Sequence, residues 1–243
     1  MKNILFNCMM VLAALVLLCP AASAETSLTI RPNLVGIGTN FNGTDLSISG
    51  TVPEGTAAVI RLMGEPRDEF FKEKGKALGV LWMNLKTVEI KGVPDVFLMG
   101  TDGVSTIDWE HSDLGFKAVK GETDDLVFDE FIKLMENDGF YEVEKDVVQY
   151  KPAANRQRGF TASLSIPSAM HQGIYRVEVL AVKDGQVMGV ASEELHTKLT
   201  GLPAMLSVFA FDHSLLYGVA AVLIAILAGL AMSLLFKERG GAH

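Results

Sequence analysis

Apolar and polar residues alternate through much of this chain. In TDLSISGTV, residues 44–52, Leu46, Ile48 and, past Gly50, Val52 fall on one face, the period-two pattern of a half-buried strand. NFNGTD before it and Pro53-Glu54-Gly55 after it read as turns. The next run, AAVIRLMG, is more densely apolar and predicts a strand buried on both faces. ALGVLWMN, TVEIKG and DVFLMG follow as further short strands, punctuated by Gly, Pro and Asn. Later, FTASLSIP alternates Phe160, Ala162, Leu164 and Ile166, and IYRVEVLAV alternates Tyr175, Val177, Val179 and Ala181. Asp184-Gly185 joins the latter to QVMGVASEELHTKL, and Asp-Gly between two strands is a hairpin signal because both positions accept positive φ. The expected fold is mainly β: an Ig-like antiparallel β-sandwich over residues 25–201.

One segment departs from period two. In ETDDLVFDEFIKLMENDGFY, Val127, Phe131, Leu134 and Met135 share one face of a helix. Thr123 is the expected cap, Asp124 and Asp125 suit the positive end of the helix dipole, and Gly139 is the expected stop. This predicts a helical insertion at about 122–139 between two groups of strands.

The two ends carry a different pattern. Residues 1–24 read as a signal peptide: Lys2, an apolar run from Ile4 to Leu18, then Pro20 and the small-x-small Ala22-Ser23-Ala24. Cys19 follows Leu18, whereas a lipid-modified cysteine needs a small residue before it. Residues 215–236 carry no charge and at ~1.5 Å per residue span roughly 33 Å, enough for a bilayer core. Lys237 and Arg239 lie just beyond, so residues 237–243 are expected on the cytoplasmic side and the body on the periplasmic side of a bacterial inner membrane. The apolar stretch 202–214 is expected to be a short juxtamembrane helix lying on the sheet or in the headgroup layer.

Charge narrows the partners. The whole chain has 21 basic and 29 acidic residues. Without Lys2, Lys237, Arg239 and Glu238 the outer part keeps 18 and 28, a net −10 that repels nucleic acid and anionic headgroups. Both cysteines, Cys8 and Cys19, fall in the leader, so the body is expected to hold no disulfide and no cysteine-based zinc site.

No stretch names an activity. None of His111, His171, His196, His213 and His243 is spaced as a helical metal pair, and no H-E-x-x-H occurs. DWEHSD places Asp108, Glu110, His111 and Asp113 within six residues, a pattern that reads first as a solvated turn. Met170-His171 has no second Met/His cluster, GIG at 36–38 lacks a third glycine, and no G-x-S-x-G is present. The expectation is no enzyme and no cofactor. In the apolar C-terminal stretch Ala221, Ala225, Gly229 and Ser233 recur every fourth residue, a small-residue stripe along which another helix can approach. Asp212 and His213, the ionisable pair expected at the outer membrane boundary, are expected to face a partner or the headgroups.

Several segments together resemble a family of uncharacterised transmembrane proteins described mainly from alphaproteobacteria: FNGTDLSISG, KALGVLWMN with GVPDVFLM, GFTASLSIP with GIYRVEVLAVKDGQV, and FAFDHSLLYGVAAVLIAILAGL. The resemblance implies one signal peptide, one outer domain and one C-terminal span, with no catalytic residues to transfer. It also implies an accessory role beside membrane exporters of sulfite- or organosulfonate-type anions. The functional expectation is a membrane-anchored periplasmic accessory protein in contact with inner-membrane lipid, partnered by an integral membrane protein or a second copy, and not by nucleic acid. The alternative is a tethered periplasmic solute- or metal-binding module using the acidic loop Asp108–Asp113.

Overall fold

The computed structural model describes residues 25–77, 80–104, 108–109 and 112–237. The expected signal peptide and the tail from 238 onward lie outside the described residues. Among the described residues there are twelve strands: β1 (Ser27–Arg31), β2 (Leu34–Ile37), β3 (Thr44–Pro53), β4 (Ala57–Met63), β5 (Pro66–Ala77), β6 (Leu81–Pro94), β7 (Phe97–Gly100), β8 (Tyr141–Glu144), β9 (Val148–Tyr150), β10 (Gln157–Ile166), β11 (Gly173–Lys183) and β12 (Gln186–Leu199). The same residues form three α-helices: α1 (Asp125–Asn137), α2 (Gly201–Phe211) and α3 (Ser214–Lys237).

Two sheets make a sandwich. The smaller has the order β1-β3-β10-β9, and the larger β2-β12-β11-β4-β7-β8. Each draws strands from both halves of the chain, so the two strand groups interleave into one sandwich rather than two β units. Alternation sets the smaller sheet's inner face: Leu28, Ile30, Leu46, Ile48, Phe160, Leu164 and Ile166 are buried against the larger sheet, while Ser47, Ser49, Thr161 and Ser163 take the opposite face. The interior pairings are antiparallel, as expected. The two edge pairs of the larger sheet, β2 with β12 and β7 with β8, are parallel.

The denser apolar runs occupy the middle of the larger sheet, which is covered on both sides. From β4, Ala58, Ile60 and Leu62 enter the core between the sheets, whereas Val59 enters a second core. β11 divides likewise, Val177, Val179 and Ala181 to one side, Leu180 and Val182 to the other. The β11–β12 turn has Asp184 at φ +50° and Gly185 at φ +77°, the paired positive φ that the Asp-Gly signal calls for.

The second core is closed by α1, by a 3-10 turn at Phe116–Val119 and by the inner end of β6. The helix is where the periodicity predicts it, with two adjustments. Its cap is Asp124, whose carboxylate accepts from Leu126 N at 3.0 Å, and not Thr123. Its buried face is Phe128, Phe131 and Met135, while Leu134 is exposed and Val127 only partly covered. Adjacent Val127 and Phe128 offer two apolar faces, and the larger ring takes the interior because it removes more area from water. At the other end Gly139 N donates to Glu136 O and Phe140 N to Met135 O, with Gly139 at φ +73°, a Schellman stop at the expected glycine.

One feature was not foreseen. ALGVLWMN and TVEIKG are not separate strands: LWMN opens the long continuous β6, which pairs with β5 in a two-stranded sheet of its own. β5, PRDEFFKEKGKA, has the composition of a solvated loop and is a strand through its pairing with β6. The two form an arm rooted beside α1.

Candidate functional site

The most specific surfaces are at the membrane end and on the arm. β12 passes through Thr200 and Gly201 into α2, whose Leu202, Met205, Leu206, Val208, Phe209 and Phe211 are exposed. The juxtamembrane stretch is thus helical, with these apolar side chains left uncovered by the sheet. The chain turns at Asp212 and His213. Asp212 N closes α2 by donating to Val208 O at 2.8 Å, and His213 O accepts from Tyr217 N at 3.0 Å, opening α3. Three rings line this corner, Phe209 against His213 at 6.3 Å and against Tyr217 at 6.4 Å, both edge-on. Tyr217, an aromatic ring with a polar edge, suits the water–lipid boundary.

α3 is the one helix among the described residues long and apolar enough to cross a membrane, over Ser214–Leu234. None of that stretch is buried against the rest of the chain. Ala221, Ala225, Gly229 and Ser233 are exposed along it, and a Cβ added at Gly229 would meet nothing within 4 Å. At four-residue spacing each step turns the stripe by about 40°, so it winds slowly around the helix as one continuous track.

The arm places a second exposed surface on the body. Beyond its root, Val80, Leu81, Met83 and Leu85 are exposed, as is Phe70. Its root is fixed at several points: Phe71 packs on Phe131 of α1 with ring centres 5.5 Å apart, and Arg67 pairs with Asp95 at 3.2 Å. Gly92 N donates to Asp68 Oδ1 at 3.0 Å. Tyr141 donates its hydroxyl proton to Pro94 O at 2.7 Å. Between arm and helix runs a groove of about 600 Å³, with Phe71, Val88 and Ile90 on one wall and Leu126, Phe131 and Leu134 on the other.

The polar clusters of the body hold strands together. Tyr150 donates to Asp102 Oδ2 at 2.8 Å and accepts from Ala58 N at 2.9 Å, while the Arg158 guanidinium lies 3.5 Å over its ring and donates to Thr56 O. Burial pushes the Tyr150 hydroxyl up to about 12. Arg61 bridges Glu178 at 2.7 Å and Leu114 O at 3.2 Å, tying the loop before the 3-10 turn to β4 and β11. Met170 is a core residue, and His171 stacks on Phe140 while its carbonyl accepts from Tyr175 and Thr197. Among the described residues no three His, Cys, Asp or Glu side chains are close enough to hold a metal ion. Glu110 and His111 of the acidic loop lie outside the described residues.

A family model described as "Putative transmembrane protein (Alph_Pro_TM)" matches residues 26–238, nearly the whole described chain. The chain belongs to this family. No curated protein and no solved structure matches it. The Alph_Pro_TM assignment and the uncovered 24-residue α3 agree: this is a membrane-anchored, mainly β protein. Hydropathy and small-residue spacing pointed to α3. The arm of this Alph_Pro_TM chain was missed, because the Lys and Glu residues of β5 disfavour a strand and its conformation comes from pairing with β6.

Proposed function

We propose that this chain is a non-enzymatic accessory protein of a bacterial inner membrane, with its β-sandwich on the periplasmic side and α3 as its docking helix. The carrying observation is that α3 has none of its membrane-length stretch buried in the chain's own fold. Its small residues give a partner helix a track for close approach, where dispersion contacts in lipid depend on backbone proximity. The partner in this reading is a polytopic integral membrane protein, for which the family resemblance suggests an exporter of sulfite- or organosulfonate-type anions. A second copy of the chain is the competing occupant.

The test is purification of the full-length protein from native membranes in mild detergent, with in-membrane crosslinking. A multi-span protein should accompany the wild type and be depleted at least about fivefold by Gly229→Leu, a loss of ~1 kcal/mol of helix contact. A monomer recovered alone from both would end the proposal. A crosslinked homodimer without other proteins would replace the partner by a second copy.

A further inference from the structure

The β5–β6 arm is a ribbon with two unlike faces. In the register of the pair, Gly75 lies opposite Met83, and Ala77 opposite Leu81. A bulge puts Leu85 over Gly75, where an added Cβ would run into its side chain. That face therefore carries Leu81, Met83 and Leu85. On the other, Lys72 pairs with Thr87, Lys74 with Asn84, and Lys76 with Trp82. From Lys72 to Ala77 the ribbon extends about 20 Å beyond its root.

Such a ribbon is costly to leave in water. A two-stranded hairpin standing alone in water is marginal at best, and Val80, Leu81, Met83 and Leu85 here are 84%, 63%, 48% and 53% exposed. Its charge is also inverted relative to the body: four lysines and one glutamate between Lys72 and Lys86, in an outer part that is otherwise strongly acidic. An acidic protein partner would match the lysines but not the apolar face and tip. An anionic bilayer surface matches both, taking apolar side chains below the headgroups and lysines among the phosphates. The chain already carries a membrane anchor, so a bilayer surface is within its surroundings.

We propose that the arm is a second membrane contact, which inserts Val80, Leu81 and Met83 into an anionic lipid surface with Lys72, Lys74 and Lys76 on the headgroup phosphates. The general repulsion of anionic lipid read from net charge then fails at this one place, because the lysines are gathered on one ribbon.

The chain supplies its own reporter. Of its two tryptophans, Trp109 is buried in the second core and Trp82 belongs to the arm. Full-length protein is reconstituted into vesicles of phosphatidylcholine alone or with phosphatidylglycerol, using acyl chains brominated as quenchers, and Trp82→Phe supplies the Trp109 background. The expected result is quenching of Trp82 at least about twofold stronger with phosphatidylglycerol, reduced by high salt. It should be abolished by Leu81→Glu with Met83→Glu, and reduced to the phosphatidylcholine level by Lys72→Glu, Lys74→Glu and Lys76→Glu together. Lys72, Lys74, Lys76, Leu81 and Met83 are solvent-facing, and unchanged Trp109 emission would verify that the core is intact. Absence of quenching, or quenching indifferent to lipid charge, overturns the proposal. So does a photocrosslinker at Val80 that captures protein instead of lipid in native membranes. Failure here leaves the α3 partner reading standing, since that is read by co-purification.

Discussion

Tyr141 locks the root of the arm to the body, and removing its hydroxyl alone tests how the second core is held. The ring is buried against Phe97, Phe116 and Phe131, with centres 5.8, 5.4 and 5.5 Å away. Its hydroxyl proton goes to Pro94 O at the end of β6. Tyr141→Phe keeps the ring contacts and deprives a buried carbonyl of its donor, a cost of about 1–2 kcal/mol. Tyr141→Ala adds a ring-sized cavity and should cost about 3–5 kcal/mol. Urea unfolding of full-length protein in detergent, followed by emission of the buried Trp109, reads both. The hydroxyl also makes a pH prediction. Burial, then the Asp95 and Glu69 carboxylates, hold its pKa well above the usual tyrosine range. The folded state therefore keeps a proton that the unfolded state releases above about pH 10, and stability falls as pH rises, by up to ~1.4 kcal/mol per unit for one group. Tyr141→Phe should remove that share and leave a shallower alkaline slope. A variant as stable as wild type at neutral pH, with an identical alkaline slope, would refute the account.

Two further substitutions probe the root of the arm and the β8 edge of the larger sheet. Gly64 donates its N–H to Val96 O at 2.9 Å, and an added Cβ would collide with the Asp95 carboxylate. Gly64→Ala should displace Asp95 from Arg67 and lower stability by about 1–3 kcal/mol, so an unmoved urea midpoint would show the root to be pliable. Glu144 is held above the ordinary carboxylate range by burial and by nearby Glu142 and Asp45, against a stabilising hydrogen bond from Ser165 N. Its folded pKa exceeds its unfolded one, so this group favours folding as pH falls through the folded value toward 4.5. Glu144→Gln keeps an acceptor for Ser165 and should match or exceed wild-type stability at pH 7, an advantage that disappears near pH 4. A variant whose stability relative to wild type is constant over that range would contradict this.

The parts of the fold legible in the sequence were those in which a local pattern reports its own environment. Alternation in β3, β10 and β11 marked the inner face of the sandwich, and the unbroken run in β4 marked a strand covered twice. Gly139 and Asp184-Gly185 announced backbone conformations that few other residues adopt without strain. Alternation carries no strand direction, so the parallel edges β2 and β8 could not be read from it. With Val127 and Phe128 adjacent, periodicity left the helix face ambiguous by one residue, and tertiary packing chose. β5 was invisible for a stronger reason: Lys and Glu disfavour strands, and its conformation comes from its neighbour across the ribbon. Of the candidate site, hydropathy revealed α3, which is a property of composition. The two-faced arm is a property of pairing, and only the register brings Gly75, Met83 and Leu85 to one side.

The route from sheet to membrane has a mechanical consequence. β12 lies between β2 and β11 inside the larger sheet, hydrogen-bonded along nearly its whole length, and it runs directly into α2 and α3. A tug on the anchor therefore arrives along the strand's own axis and loads its cross-strand bonds in shear, all at once. Peeling them one by one would need a force from the side, so the anchor is tied to the body through the eleven paired positions that β12 shares with β11.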